Sequence, residues 1–410
     1  MDEKQSPKHL FIITGGSFAG MGALSMLFIV VDELKKRFPD CRIVADVHSE
    51  IPDGLAFSCV NILPWMWKSF CNPIFLVLVQ IRRILRHFLT DFPASTSWRE
   101  ANRLVRSADA IIDVSGFALS SQFDNETSVF YLDRIRAAEK LHIPVFLLPQ
   151  SYGPFDYKHG CDRLHTRIKK QMSYPKIIFA REQQGYRLLT KECALTNVRL
   201  SSDIVLQNRG IDYGKIFKDP SETGILPKLR DGKKAAVIPN YNLYRIGKKE
   251  VILTFYENAI RDLCENGFSV YLINHTQMDL SICDDILSRI DNDSVVKIPL
   301  VMKIQEFETI IGNFDLVIGS RYHGIVHALK QGVPVISVGW AAKYRELMEL
   351  FDQQKYDLDI RNDQDMNRAL EAVQDMEKNY PANREKILSI LPKYLDNTCF
   401  EEISAYFGLK

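Results

Sequence analysis

The residues best suited to chemistry are an arginine and a histidine two positions apart, Arg321 and His323. They follow an apolar run that ends at Gly319 and predicts a strand, and they precede a helical pattern that begins at Ile325. A guanidinium is permanently charged and can hold a carboxylate or phosphate through two hydrogen bonds, whereas an imidazole exchanges protons near neutral pH. The stretch therefore predicts an anion-binding turn with a proton donor beside it. An exposed arginine and a capping histidine are the ordinary alternative.

The place of this turn in the predicted fold supports an anion site. In open α/β sheets, ligands bind at the carboxyl ends of the strands, and a helix start offers free N–H groups and a positive dipole end. Ser320 and Gly324 belong to the same turn, so we expect them to contact the same ligand. His327 lies four residues after His323, on the same helix face, and is the second candidate proton donor.

Three further side chains at predicted strand ends or helix starts are candidates for the same ligand. Arg181 follows the predicted strand 176–180, and His275 follows the predicted strand 268–273. Lys343 lies just before a helix predicted from Tyr344. An exposed arginine and a capped loop end are the alternatives for Arg181 and His275.

Strands and helices alternate in both halves of the chain, which predicts parallel sheets covered by helices. A polar stretch with several glycines and prolines interrupts this alternation. We therefore predict two Rossmann-like, doubly wound domains that face each other across a cleft. They span residues 1–207 and 235–410, with a linker at 208–234 and a helical tail at the end of the second domain.

Composition narrows the class of protein. A chain of 410 residues can bury two cores, and a net charge of +1 gives no sign of a nucleic-acid partner. The eight cysteines form no Cys-x-x-Cys pair, so we expect neither a zinc site nor a disulfide framework, and no metal or cofactor. No apolar run reaches the roughly 20 residues of a membrane-spanning helix. These features predict a cytoplasmic protein.

One segment, residues 62–92, does not fit the alternation. Two tryptophans, Trp65 and Trp67, precede an apolar helical pattern at 73–88. Its basic residues meet no acidic residue until Asp91. They are Lys68, Arg82, Arg83, Arg86 and His87. Paired tryptophans and a basic apolar helix are typical of an element that lies in a membrane interface, so we predict peripheral membrane contact through about 64–88. A buried helix and a dimer contact are the alternatives.

Several motifs together resemble one known family. Ser-Arg-Tyr-His-Gly at 320–324, His-Ala-Leu at 327–329 and Gly-Val-Pro-Val-Ile at 332–336 resemble the signature of the polysaccharide pyruvyl transferase family. Pro-Gln-Ser-Tyr-Gly-Pro-Phe at 149–155 resembles another segment of that family, as do the pairs Arg-Glu at 181–182 and Ser-Asp at 202–203. The motifs lie in the expected order, and the resemblance spans most of residues 10–350.

The resemblance implies a ketal-forming transfer of pyruvate from phosphoenolpyruvate, as co-substrate, to a sugar on a fold like that of GT-B glycosyltransferases. In that reaction Arg321 and Arg181 hold the two anionic groups of the donor, Lys343 and His275 lie nearby, and His323 is the general acid. The expected acceptor is a hexose of a capsule or exopolysaccharide precursor, carried on a lipid. A GT-B glycosyltransferase that uses a nucleotide sugar and a non-enzymatic sugar-binding scaffold are the alternatives.

Polar side chains at the strand ends of the amino-terminal half are candidates for the acceptor. A strand tip or a glycine-rich turn places them at the predicted cleft, although capping of a turn or helix explains them equally well. These residues are Ser17, Asp113, Ser115, Gln150, Ser151 and Tyr152.

Overall fold

The computed structural model describes residues 8–72, 96–157, 161–219, 227–290, 293, 295–298, 304–395 and 398–409. In these residues the chain forms two parallel β-sheets, one in each half. The first sheet has the order β3-β2-β1-β4-β5-β6-β7. Its strands are β1 (His9–Thr14), β2 (Cys41–Asp46), β3 (Ser58–Val60), β4 (Ala110–Asp113), β5 (Val145–Gln150), β6 (Ile177–Ala180) and β7 (Val198–Leu200).

The second sheet has the order β10-β9-β8-β11-β12-β13. Its strands are β8 (Lys234–Ile238), β9 (Ser269–Ile273), β10 (Val295–Ile298), β11 (Leu316–Gly319), β12 (Val335–Gly339) and β13 (Asp357–Asp359). Every paired strand in both sheets is parallel to its neighbour. Parallel sheets need both faces covered, which explains the apolar strands seen in the sequence. The architecture confirms the predicted two-domain α/β fold.

Helices connect the strands. In the first half they are α1 (Met21–Arg37), α2 (Pro64–Cys71), α3 (Trp98–Arg106), α4 (Asn125–Leu141), α5 (Cys161–Met172), α6 (Gln183–Arg187) with a π-helical turn at Leu188–Glu192, and α7 (Ile204–Gln207). In the second half they are α8 (Leu243–Ile246), α9 (Lys249–Glu265), α10 (Leu280–Leu287), α11 (Ile304–Ile311), α12 (Tyr322–Lys330), α13 (Ala342–Leu350), α14 (Asp363–Asn367), α15 (Ala369–Ile390) and α16 (Thr398–Tyr406).

Each sheet reverses its strand order once, between β1 and β4 and between β8 and β11. Such switch points open a crevice at the carboxyl ends of the strands. At the first one Gly15 has a φ of +81°, and a side chain there would lie 2.3 Å from the Ser115 hydroxyl. The glycine-rich turn is therefore explained by a left-handed backbone and a close approach. At the second switch point, β11 leads directly into α12, with Arg321 just before the helix and His323 in its first turn.

The last helix returns to the first sheet. The Phe407 ring, just after α16, lies 5.4 Å from the Phe11 ring of β1, and the Tyr406 ring lies 5.4 Å from the Phe146 ring of β5. The predicted carboxyl-terminal tail thus packs in part on the first half of the chain. This contact ties both halves together at a point remote in sequence from the linker.

The two halves also contact each other beside the crevice. The Ser25 hydroxyl of α1 lies 2.9 Å from Nε2 of His327 in α12, and both residues are fully buried. The Glu346 carboxylate of α13 accepts a hydrogen bond of 3.0 Å from the Gln184 N–H, at the start of α6. The crevice between the sheets is therefore held by polar contacts on two sides.

The segment proposed for membrane contact is described only up to residue 72. There α2 buries Trp67 completely, and the Trp67 indole N–H donates to Asp46 at 3.0 Å. Trp67 therefore belongs to the hydrophobic core of the first half of the chain, and the predicted pair of tryptophans cannot lie together on a membrane surface. The apolar, basic part at 73–95 lies outside the described residues. Within the described ranges, no helix combines the length and the apolar content needed to cross a membrane.

Candidate active site

A cleft of about 630 Å³ lies between the two sheets, next to both switch points. Among the described residues that line it, no aspartate or glutamate is present. The lining does contain five cationic side chains and two histidines. They are Arg181, Arg245, Arg321, Lys343 and Arg361, with His275 and His323. A cavity walled in this way suits a small ligand that carries more than one negative charge.

Arg321 is the residue just before α12, and one edge of its guanidinium is already used inside the protein. Nε donates to Asp279 at 2.9 Å, and Nη2 donates to the second Asp279 oxygen and to the Thr276 hydroxyl, at 3.0 Å. Nη1 has no hydrogen-bond partner in the described part of the chain. The pair of hydrogen bonds predicted for a ligand is thus made to Asp279 instead. Arg321 keeps one nitrogen, Nη1, for a ligand in the cleft.

Asp279 is fully buried and holds this arginine in place. Its carboxylate also accepts hydrogen bonds from the N–H of Thr276, at 2.9 Å, and from the N–H of Tyr241, at 3.0 Å. Sequence reasoning missed Asp279. A signal was present, since Thr276-x-x-Asp279 after a strand tip is a capping-box pattern, and the structure forms both of its reciprocal bonds.

His323 lies in the first turn of α12 and lines the cleft. Its Nε2 is 3.5 Å from the Asp203 carboxylate, longer than a charge-assisted hydrogen bond, so the contact is mainly electrostatic. Burial lowers the pKa of His323, although Asp203 partly offsets this effect. Burial alone would raise the pKa of Asp203, but His323 and Arg181 hold it well below its usual range. In the free protein the ionised Asp203 carboxylate therefore lies next to a largely neutral His323 imidazole.

The other ring nitrogen of His323 lies over Gly22 of α1. A Cβ atom at position 22 would be 2.3 Å from Nδ1, which is a severe overlap. Only glycine at this position lets the histidine of one half rest against the helix of the other. Sequence reasoning missed Gly22, because nothing in the sequence joins a helix glycine to a histidine in the second half.

His275 and Lys343 both line the cleft, and burial shifts the pKa of each. The His275 ring is buried with no hydrogen-bond partner for Nε2 among the described residues, and burial, reinforced by Arg321, lowers its pKa well below the ordinary value. Burial, reinforced by Arg181, lowers the pKa of Lys343 to about 7. The Lys343 ammonium lies 4.5 Å from the centre of the Phe117 ring. It has no carboxylate partner in the described ranges.

Arg181 lines the cleft, but its guanidinium is already engaged. Nη1 donates to Asp203 at 2.8 Å, Nε to Glu182 at 2.8 Å, and Nη2 to Ser151 at 2.8 Å. The ring of Tyr322 covers one of its faces at 4.1 Å. Each nitrogen thus has an internal partner, and the side chain is only 2% exposed, so we expect Arg181 to contribute less to ligand binding than Arg321.

Three other residues of the central stretch do not line the cleft. The Ser320 hydroxyl is fully buried and forms a hydrogen bond of 2.5 Å with the Tyr256 hydroxyl. Gly324 packs against Ile238 of β8. His327 is fully buried between Ser25 and Glu308, 3.3 Å from the Glu308 carboxylate. Ser320 and Gly324 therefore support the turn, and His327 joins the two halves. None of them is placed to act as predicted.

The predicted acceptor residues divide into three groups. Asp113 and Gln150 bond to each other inside the first sheet, at 3.3 Å, and the Ser17 hydroxyl accepts a bond from the Ala19 N–H of its own turn. These three line no described cavity. Ser115 lines the cleft, where its hydroxyl donates to Asp113 at 3.1 Å. Ser151 and Tyr152 line a smaller cavity beside it.

Comparison with solved structures identifies the fold. Anabaena Alr3699/HepE in complex with UDP and glucose is 12% identical with a TM-score of 0.53, over 98% of this chain and 99% of that one. A putative UDP-N-acetylglucosamine 2-epimerase from Listeria monocytogenes is 12% identical with a TM-score of 0.54, over 96% and 94%. The UDP-GlcNAc 2-epimerase from Methanocaldococcus jannaschii is 15% identical with a TM-score of 0.51, over 88% and 92%. At these identities the likeness shows the GT-B-like fold alone.

Comparison of the sequence itself identifies the family. Curated proteins give no significant match. A family model described as polysaccharide pyruvyl transferase matches residues 21–341, which include Arg181, His275, Arg321 and His323. Since this match covers most of the chain and the site that the structure assembles, the chain belongs to the polysaccharide pyruvyl transferase family.

Proposed function

We propose that this protein transfers pyruvate from phosphoenolpyruvate to a hexose of a surface-polysaccharide precursor and forms a ketal. The observation that supports this most directly is the cleft, which has five cationic side chains, two histidines and, among its described lining residues, no carboxylate. Phosphoenolpyruvate is a small molecule with two separate anionic groups, so its charge is complementary to the cationic lining of the cleft. Family membership supplies the reaction class.

The donor would be held by the groups that the protein leaves free. Nη1 of Arg321 and the N–H groups at the start of α12, where no side-chain cap is present, would bind the phosphate. Lys343 would bind the carboxylate, in place of the engaged Arg181. Because burial lowers the pKa of Lys343 to about 7, an arriving anion would favour its protonated form.

The reaction forms two C–O bonds and breaks one. A proton adds to the methylene carbon of phosphoenolpyruvate, and a first sugar hydroxyl attacks the resulting cationic carbon and loses its proton. A second hydroxyl then attacks the same carbon, and the C–O bond to phosphate breaks. One hydroxyl proton replaces the proton used on the methyl group, and the other leaves with phosphate.

His323 would be the proton donor in this sequence. Burial lowers its pKa, so the free protein holds it largely neutral, but a bound phosphate dianion would favour the imidazolium. Asp203, 3.5 Å behind the ring, would stabilise the same charged form. Protonation would thus be coupled to arrival of the donor, and a positioned acid contributes about 10²–10⁴ in rate.

A phosphate-release assay tests the proposal. The purified protein is incubated with phosphoenolpyruvate and a panel of methyl galactosides, glucosides and mannosides, and the products are examined by mass spectrometry. We expect phosphate release that depends on one class of hexoside and a product that carries a carboxyethylidene group. If calorimetry detects binding of UDP- or GDP-sugars and none of phosphoenolpyruvate, the protein is a glycosyltransferase instead.

We also propose that the acceptor is lipid-linked and is met at a membrane surface. The support is the basic, apolar sequence at 73–88, without Trp67. Each basic residue near an anionic surface contributes about 1 kcal/mol. We expect the protein to sediment with anionic vesicles at low salt and to be released at high salt. A variant with Arg82, Arg83 and Arg86 changed to Glu should stay in the supernatant, and equal sedimentation of both proteins would refute the contact.

A further inference from the structure

A second cavity, of about 260 Å³, opens beside the cleft at the boundary between the two halves. We call it the aromatic pocket, because Phe117, Tyr152 and Trp340 contribute to its walls. Five side chains line both cavities, so the two are adjacent compartments of one site. The shared residues are Phe117, Gln122, Trp340, Lys343 and Arg361.

The two compartments differ in charge. The described lining of the cleft contains no carboxylate, whereas that of the aromatic pocket contains Glu182. One oxygen of Glu182, Oε1, accepts hydrogen bonds from Ser151 at 2.7 Å and from Arg181 at 2.8 Å. The other, Oε2, makes no hydrogen bond to any residue that the structure describes. A carboxylate oxygen available in this way accepts hydrogen bonds from hydroxyl groups.

The aromatic side chains give the pocket an apolar surface. Trp340 and Phe117 are half-buried, and the Trp340 ring packs on the Tyr344 ring at 5.2 Å, which fixes its position. Small-molecule sites commonly combine aromatic walls with a few placed polar groups. A pyranose ring matches this combination, since it has an apolar C–H face and a polar rim of hydroxyls.

We propose that the aromatic pocket is the acceptor subsite, that it takes one uncharged pyranose ring, and that Trp340 contacts the apolar face of the ring while Glu182 accepts hydrogen bonds from its hydroxyls. The assignment as acceptor subsite rests on the proposed pyruvyl transfer; binding of a pyranose does not. The volume, below the roughly 300–1,000 Å³ of typical ligand pockets, fits a single ring. Longer chains must extend into solvent.

The shared wall explains how the two substrates would meet. Lys343 lines both compartments, and its ammonium lies 4.5 Å from the centre of the shared Phe117 ring. A donor bound to Lys343 in the cleft is therefore adjacent to those hydroxyls of a bound pyranose that face the opening between the pocket and the cleft. The subsite thus uses only Ser151 and Tyr152 of the residues predicted for the acceptor from sequence.

Saturation-transfer NMR with the methyl hexopyranosides tests the subsite separately from the reaction. Spectra are recorded for the wild-type protein and for Trp340→Leu, with and without phosphoenolpyruvate. We expect at least one pyranoside to bind the wild type and to bind Trp340→Leu at least about tenfold more weakly. Trp65→Leu is the matched control, because Trp65 is a half-buried tryptophan that lines neither compartment. It should bind like the wild type.

A second variant and a second ligand separate the possible failures. Glu182→Gln should weaken the pyranoside more than it weakens phosphoenolpyruvate, whose dissociation constant is measured by calorimetry. If no pyranoside binds under either condition, or if Trp340→Leu binds it as tightly as the wild type, the subsite assignment is wrong. Absence of phosphoenolpyruvate binding to the wild type would refute the proposed function, whereas pyranoside binding that needs Trp340 would still support a sugar site here.

Discussion

Arg181 and Arg321 occupy equivalent places in the two halves of the molecule, each just after the end of a parallel strand. Both point at the same cleft, and both are held by buried carboxylates. Arg181 has two carboxylates and a hydroxyl as partners, and its side chain is 2% exposed, against 18% for Arg321. Arg321 has one carboxylate and keeps Nη1 for a ligand. We therefore expect Arg321 to bind the donor and Arg181 mainly to stabilise the fold.

The largest effect should come from Arg321→Ala, which removes the free nitrogen. We expect turnover to be abolished and phosphoenolpyruvate to bind about 10- to 150-fold more weakly, since a charge-assisted bond contributes about 1.5–3 kcal/mol. Arg321→Lys should rescue poorly, because an ammonium cannot hold Asp279 and a ligand in this geometry. Arg345→Ala, an exposed arginine of α13, is the control. Normal phosphate release by Arg321→Ala would show that Arg321 is not a binding residue, and its expected difference from Arg181 would be wrong.

The next effect concerns stability at the other strand end. Arg181→Ala leaves Glu182 and Asp203 buried without their cation, so we expect the free energy of unfolding in urea to fall by about 3–5 kcal/mol. Arg187→Ala, in the same helix region but exposed, should change it by less than about 0.5 kcal/mol. If Arg181→Ala instead keeps its stability and loses donor affinity, Arg181 is a binding residue after all.

The third prediction uses His323, which touches Asp203 on the Arg181 side and lies in the helix that follows Arg321. His323→Gln should lower kcat at least about a hundredfold while donor binding stays within a few-fold. As the general acid, His323 must be protonated, so wild-type kcat should decline as the pH rises above its pKa in the complex. The variant should lack that decline. A change confined to KM would make His323 a binding residue.

The smallest effect is the pH dependence of donor binding through Lys343, a cation with no internal carboxylate in the described structure. The pKa of Lys343 is lowered to about 7, so its charge is present below that pH and is lost above it. We expect the dissociation constant of phosphoenolpyruvate to rise by about tenfold between pH 7 and 9, and to rise less in Lys343→Met, in which only His323 still couples protonation to binding. Calorimetry at constant ionic strength measures both.

Much of the fold followed from periodicity, and its failures have a common cause. The strands predicted at 176–180 and 268–273 were found at Ile177–Ala180 and Ser269–Ile273. The three-residue edge strands β3 and β7 were not predicted. Three residues carry too little alternation to be recognised, and pairing with β2 and β6 defines them. The same limit explains why β13 was missed.

The site was predicted in part for a similar reason. The local order of strand, turn and helix marked Arg321 and His323, and both line the cleft. The roles of Ser320 and His327 were misjudged, because spacing along a helix indicates which side chains share a face but not which neighbour that face meets. His327 meets the buried Ser25 and Glu308, whereas His323, one turn earlier, meets the cleft.

Local sequence patterns were enough to predict that strands end in polar, cationic turns and that parallel strand ends meet at one edge of each sheet. They also determined the family, because the motif around Arg321 is contiguous. Which charged groups remain available to a ligand depends on contacts between residues that are distant in sequence. Arg321 meets Asp279 from 42 residues away, and His323 of the second half meets Asp203 and Gly22 of the first. Such contacts depend on how the two halves pack together, and no pattern of neighbouring residues in the sequence specifies that packing.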